Sequence, residues 1–227
     1  LETEQRKLYL AAVVDAREKL RAAKPEDKMT VFAVLMRLRE ICCDPRLVAD
    51  NWTGSSAKLE ACLELVTEAV AGGHRILLFS QFTSMLELLA KRLDEAGVSH
   101  FTLQGSTPKP VRAEQVRRFN QGEADVFLIS LRAGGTGLNL TAADIVIHYD
   151  PWWNLAAQNQ ATDRAYRIGQ RNPVQVYRLI AQDTIEEKIV ELQQAKQSLA
   201  DTVTGGADGA ILSMNPEQLL QLLGEEA

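Results

Sequence analysis

The sequence predicts an α/β fold: a parallel sheet with helices on both faces. Five short hydrophobic runs carry most of that expectation. RILLFS (75–80), HFTLQ (100–104), VFLIS (126–130), IVIHYD (145–150) and VQVYRLI (174–180) are apolar with little alternation, as expected of strands buried on both faces. Helical patterns over 83–96 and 109–121 separate the first three runs, and a shorter one over 156–167 precedes the last. Strand and helix in alternation produce parallel neighbours, because the helix carries the chain back across the sheet.

The flanks read as helical. From residue 1 to about 47 apolar positions recur at Leu8, Ala11 and Ala12, then at Val31, Leu35, Leu38, Ile41 and Cys42. Pro25 separates two helices, and Asp44-Pro45 closes the second. The loop NWTGSS follows from Asn51. Ser56 is then the expected N-cap of a helix reaching about Ala71, with Gly72-Gly73 ending it. After the last strand come a helix over 184–199, a TGGADG stretch and a closing helix over 216–223. The expected organisation is a helical segment over 1–50, the α/β domain over 51–182 and a C-terminal helical extension over 183–227. The chain opens at Leu1 within a helical pattern, so we expect it to be part of a longer polypeptide.

Composition narrows the function classes. Of 227 residues 46% are hydrophobic and 24% charged, ordinary values for a globular protein. The apolar runs are too short to span a bilayer, and no basic stretch with an apolar core opens the chain. Three cysteines, two adjacent at Cys42 and Cys43, give neither a disulfide framework nor a zinc spacing. Together with only three scattered histidines they lead us to expect no metal site and a reducing, cytoplasmic setting. The net charge of −5 weighs mildly against nucleic acid, unless positive charge gathers on one surface or another domain supplies it.

In an open α/β sheet ligands sit outside the carboxyl ends of the strands. The loops after Ser80, Gln104, Ser130 and Asp150 are therefore expected on one edge, and they hold the unusual residues of the chain. SQF (80–82) and QGSTP (104–108) offer hydroxyls, amides and backbone N–H groups suited to phosphate, with Arg112, Arg117 and Arg118 just downstream. SLRAGGTGLNL (130–140) packs three glycines into four residues, which lets backbone N–H groups approach an anion. It lacks the G-x-G-x-x-G spacing, and a tight turn explains it equally well. In DPWWN (150–154) the adjacent tryptophans point apart, so at least one is expected to meet a partner surface.

QATDRAYRIGQ (160–170) is the most informative segment. On a helix Gln160, Arg164 and Arg167 fall at i, i+4 and i+7 and share a face. Ala161, Ala165 and Ile168 repeat that spacing one residue on and suit packing against the sheet. Two guanidiniums three residues apart can converge on one polyphosphate. The competing reading is a solvated helix whose Arg164 pairs with Asp163 or Asp183. Asp94-Glu95-Ala96-Gly97 resembles an ATPase metal motif but falls at a helix end, with Gly97 as cap, and reads as structural. No G-x-x-x-x-G-K-[ST] occurs, so a P-loop cradle for β and γ phosphates is not encoded here.

Taken together these segments resemble the Swi/Snf (sucrose-nonfermenting) family of superfamily two helicase-like ATPases, specifically its second, C-terminal RecA-like lobe. ILLFSQFTSMLELL resembles motif IV, LQGSTPKPVRAEQVRRFN the segment after it, LISLRAGGTGLNLTAAD motif V, and HYDPWWN with QATDRAYRIGQ motif VI and its lead-in. LETEQRKLYLAAV and LMRLREICCDPRLV are similar to the family's bridge between lobes. The sequence departs from the family's pattern at Leu155, usually proline, at Gln158, usually near an acid, and at Tyr166, usually histidine; no arginine is lost.

The resemblance implies a DNA translocase or remodeller driven by ATP. Arg164 and Arg167 would be arginine fingers reaching ATP and Mg²⁺ held mainly by an N-terminal RecA-like lobe of the same polypeptide. Gly137 and Asn139 would line the nucleotide cleft, with Gln160 coupling nucleotide to lobe closure. Gln81, Ser106, Ser130 and Trp153 would contact double-stranded DNA. RNA polymerase or other DNA-bound proteins are further partners it suggests, with a nucleoid location in a bacterium. Two rivals stay open: a DNA-binding module without catalysis, and a self-sufficient nucleotide- or cofactor-binding α/β enzyme, against which the missing glycine fingerprint counts.

Overall fold

The computed structural model describes residues 1–131, 133, 138–152, 155–163, 165, 173–200 and 214–224. In chain order they form α1 (Thr3–Ala22), α2 (Lys28–Cys43), a 3₁₀ turn (Pro45–Leu47), α3 (Ala57–Ala71), β1 (Ile76–Ser80), α4 (Thr83–Glu95), β2 (His100–Leu103), α5 (Lys109–Asn120), β3 (Val126–Ser130), β4 (Ile145–His148), α6 (Leu155–Thr162), β5 (Gln175–Arg178), α7 (Ile185–Ala200) and α8 (Pro216–Leu222). Two compact units emerge. One holds Leu59–Trp152 and Ala156–Leu179; the other holds Leu1–Lys58 and the described residues from Ile180 onward.

In the first unit all strand pairs are parallel, in the order β2-β3-β1-β4-β5. Leu78 of β1 lies between Leu128 of β3 and Ile147 of β4. These three strands are buried along their whole length, because neighbours on both sides and helices on the faces leave them no solvent. The expectation of five buried strands needs correcting for the other two. In β2 only Leu103 is buried, and β5 exposes Gln175, Val176 and Arg178. Both are sheet edges with one partner each, and an edge strand has an open side.

On one face Leu77, Phe79, Phe127, Ile129 and Val146 share a core with Phe119 of α5 and Ala161 of α6. Ala165 is also buried there, so Ala161 and Ala165 of the expected apolar stripe pack on the sheet, while its third member, Ile168, lies outside the described residues. The helix carrying it is shorter than the expected 156–167. The Asp163 N–H still reaches back four residues to Asn159 (2.9 Å), but that of Ala165 reaches back only three, to Thr162 (3.1 Å). That tightening is how an α-helix ends. α4 buries Met85, Leu86, Leu89 and Leu93 and packs on β1, β2 and β3. Gly97 ends α4 with φ +69°, while the Val98 N–H bonds back to Leu93 (2.9 Å), so Asp94-Glu95-Ala96-Gly97 is a helix terminus.

The second unit gathers helices from both ends of the chain. Tyr9, Val13, Ala16 and Leu20 of α1 pack with Val31, Leu35, Leu38 and Ile41 of α2, Ile185 and Ile189 of α7 and Leu219 of α8. The buried stripe of α1 is thus rotated from the Leu8, Ala11, Ala12 pattern: Ala11 is exposed, because the aromatic Tyr9 has more surface to bury. The Tyr9 hydroxyl accepts from the Ile185 N–H (2.7 Å), tying α1 to the start of α7. α2 is capped by Asp27, which accepts from the Thr30 N–H (3.0 Å). Ser56 precedes α3 as expected, but its hydroxyl donates to the Cys43 carbonyl (3.1 Å) instead of capping the helix.

A buried ion pair anchors this helical unit. Lys58 Nζ bonds the Glu186 carboxylate, which also accepts from the Ala181 N–H (2.9 Å), and both side chains are almost fully buried. Burial alone would lower the Lys58 ammonium, yet Glu186 beside it holds its pKa above the usual lysine value. Burial, with Glu186 nearby, pushes the Cys42 thiol up to about 12, so it is an inert packing group. Removing one partner strands a buried charge, so Glu186→Ala is expected to destabilise this unit by about 3–5 kcal/mol in urea unfolding. Exchanging both partners for apolar residues of similar volume should cost far less.

Candidate functional site

Parallel strands put Ser80, Leu103, Ser130 and His148 at one edge of the sheet. The chain leaves β1 toward β2 and leaves β4 toward β5, in opposite directions. The carboxyl ends of these adjacent strands therefore flank the crevice where open α/β sheets bind ligands. Asp150, 1% exposed, closes that crevice at its base. Its carboxylate accepts from the Ser80 hydroxyl (2.6 Å) and the Gln81 N–H (3.3 Å). The Ser80 hydroxyl in turn accepts from the Phe82 N–H (3.1 Å), fixing the turn into α4. Gln81, half-buried, thus emerges from a clamped backbone.

Ser130 lies beside Ser80 in register and is buried, its hydroxyl accepting from the Ala133 N–H (3.2 Å). Its side chain shapes the start of the glycine turn. Ser106 is exposed at the tip of the loop after β2. That loop is built by Thr107, whose hydroxyl accepts from the Gln104 N–H (3.0 Å), and by Arg112. The Arg112 guanidinium donates to the carbonyls of Thr107 (2.8 Å), Gln104 (3.3 Å) and Gly105 (2.9 Å). Arg117 pairs with Glu114, and Arg118 pairs with Glu123 while its guanidinium covers the Phe101 ring.

Asn139 is exposed and sits apart from this edge. Its carbonyl accepts from the Asn120 side chain (2.8 Å), whose oxygen accepts from the Ala142 N–H (3.2 Å). Asn120 ends α5, and a crossover helix between parallel strands runs opposite to them, so Asn139 lies toward the amino ends of the strands. Gln160 is exposed on α6, whose other side is pinned. Buried Gln158 accepts from the Trp152 N–H (3.2 Å), and Thr162 Oγ1 lies 2.9 Å from His148 Nε2. Trp152 is half-buried against the sheet core. Gly137, Trp153, Arg164 and Arg167 lie outside the described residues.

The sequence reading noted Arg112 only beside the phosphate-suited loops and Gln158 only as a departure from the family pattern, and it gave no role to Asn120, His148 or Asp150. A signal for the last two existed, since both are polar in an otherwise apolar run. His148 is 1% exposed and stacks on Phe79 with ring centroids 5.6 Å apart. Burial, with Arg178 nearby, pushes its imidazole down to about 4, which keeps it neutral. Thr162 Oγ1 donates to the Gln158 carbonyl (3.3 Å), so it accepts from His148 and fixes the proton on Nε2.

Residues 57–169 match the helicase conserved C-terminal domain. A putative ATP-dependent helicase/translocase, YwqA of Bacillus subtilis, is 39% identical over 229 residues, covering 98% of this chain and 25% of the relative. The chain spans about a fifth to a quarter of the length of the curated relatives it matches. Among solved structures, the Sulfolobus solfataricus SWI2/SNF2 ATPase core in complex with dsDNA superposes with TM-score 0.80 at 30% identity, over 100% of this chain and 49% of that one. The C-terminal domain of that ATPase gives TM-score 0.79 at 28% identity, over 99% and 94%.

Two predictions follow from the geometry. Arg112→Ala frees three loop carbonyls and should speed amide exchange over 104–107 roughly fivefold, with global stability nearly unchanged. His148 binds its proton less well folded than unfolded, so stability should fall as pH drops from about 6.5 to about 4, on the order of 3 kcal/mol in all. His148→Gln should flatten that part of the stability–pH curve relative to the unchanged protein.

Proposed function

The chain belongs to the Swi/Snf family of helicase-like ATPases, as its C-terminal RecA-like lobe, and from that premise we propose that it is one half of an ATP-driven motor on double-stranded DNA. The observation that carries the reading is the likeness, along the whole chain, to an ATPase core solved with duplex DNA. The loops of the carboxyl edge support it, since an exposed Ser106 and a clamped Gln81 suit contacts to a phosphate backbone, which carry no sequence information. Ser130 would contribute through the turn that it shapes, and Trp153 would contact the DNA as well. The motor would work in the cytoplasm.

Gln160, exposed on a helix pinned along its other side, suits contact with a nucleotide. Arg164 and Arg167 follow it in sequence as the arginine fingers, with Gly137 also lining the cleft. Bound ATP with Mg²⁺ would supply the phosphoryl transfer, held mainly by an N-terminal RecA-like lobe. This chain would neutralise developing charge with its two guanidiniums and hold the DNA backbone while the lobes close and reopen. Separated from that lobe it would not hydrolyse ATP. RNA polymerase or another DNA-bound protein would be the object that the motor displaces.

In the full-length protein, Arg164→Ala and Arg167→Ala should each lower DNA-stimulated ATP turnover about 10³–10⁵-fold while duplex affinity stays nearly constant. Weakened DNA binding with maximal turnover intact would instead favour a non-catalytic DNA-binding module. DNA-stimulated turnover by the separate chain would favour a self-sufficient enzyme.

A further inference from the structure

The end of β4 and the residues just after it carry polar groups at alternate positions, and between them they hold two neighbours, α6 and the end of β1. His148 reaches Thr162 on α6 (2.9 Å), Asp150 reaches Ser80 and the Gln81 N–H at the end of β1 (2.6 and 3.3 Å), and the Trp152 N–H returns to Gln158 on α6 (3.2 Å). Gln158 and Thr162 are one helical turn apart, so α6 hangs from this strand end along a single side. His148 and Asp150 are each 1% exposed. The strand residues preceding them, Ile145, Val146 and Ile147, are aliphatic and equally buried. A branched aliphatic at 148 would fill a sheet centre as well as a histidine does. Buried polar groups are costly unless partnered, and what these two add is direction: each fixes one orientation of one neighbour.

The neighbours are the two moving parts of the proposed motor. α6 carries Gln160 and leads into Arg164 and Arg167, while the β1 end carries Gln81. We propose that His148 and Asp150 are positioning residues that join them through β4, so that a displacement of α6 on nucleotide contact is delivered to the DNA-facing loop at Gln81. This rests on the motor reading above. Neither residue touches nucleotide or DNA. They set where the groups that do so stand, and they transmit a shift because a fully packed sheet centre moves as a unit.

The test uses the full-length protein and two single-atom-scale changes at the far ends of the relay, Thr162→Val and Ser80→Ala. Each should leave ATP turnover without DNA within about twofold and duplex affinity within about threefold, yet cut the stimulation of turnover by saturating DNA roughly tenfold. The double variant should be no worse than the poorer single, because both changes break one linkage. His148→Gln, which keeps an N–H donor within reach of Thr162, should retain stimulation, whereas His148→Leu should lose it. If His148→Leu does not fold, the two hydroxyl deletions still decide. Full stimulation in both of them, or losses that multiply in the double variant, would overturn the proposal. Absence of DNA stimulation in the unchanged protein would sink the motor reading instead, before any variant is compared.

Discussion

The pairing of β1 with β4 is the constraint on which the α/β unit depends. It runs from Ile76 opposite Ile145 to Phe79 opposite His148, at the one place in the sheet where successive connections diverge. Divergence leaves no crossover to cover the strand ends, so the chain must cover them with its own polar groups. Asp150 does this with its bonds to Ser80 and Gln81, and His148 does it by reaching across to Thr162. Every loop of functional interest is placed relative to these two strands.

The net charge of −5 finds a physical resolution in how the arginines of the α/β unit are employed. Arg112 is committed to three carbonyls of its own loop, Arg117 to Glu114 and Arg118 to Glu123. Each of these three is paired within the lobe, and at the carboxyl edge the Ser106 hydroxyl and backbone donors stand beside the exposed Lys109. Hydroxyl and amide contacts position a backbone without reading bases, which suits the proposed motor.

The helical unit solves a separate problem. Segments from the two ends of the chain, more than a hundred residues apart, share a core, and helix packing alone would allow them to slide. The Lys58–Glu186 pair and the Tyr9 hydroxyl on the Ile185 N–H provide directional fixed points within that core. A buried pair of this sort adds little net stability over apolar replacement, and register is the use that best explains it here.

The sequence by itself determined the strands, their order of occurrence, the helix ends at Gly72-Gly73 and Gly97, and the assignment of the family through five ordered motifs. These are readable because apolar runs, glycine punctuation and motif spacing are properties of neighbouring residues. Tertiary structure alone decided which strands are edges, and so why Val176 is exposed while Val146 is not. It alone rotated the buried stripe of α1 toward Tyr9, redirected Ser56 to the Cys43 carbonyl, and separated Asn139 from Gln81. It also gave His148, Asp150 and Gln158 their partners, because those partners lie 6 to 70 residues away and only the closed sheet brings them within a hydrogen bond.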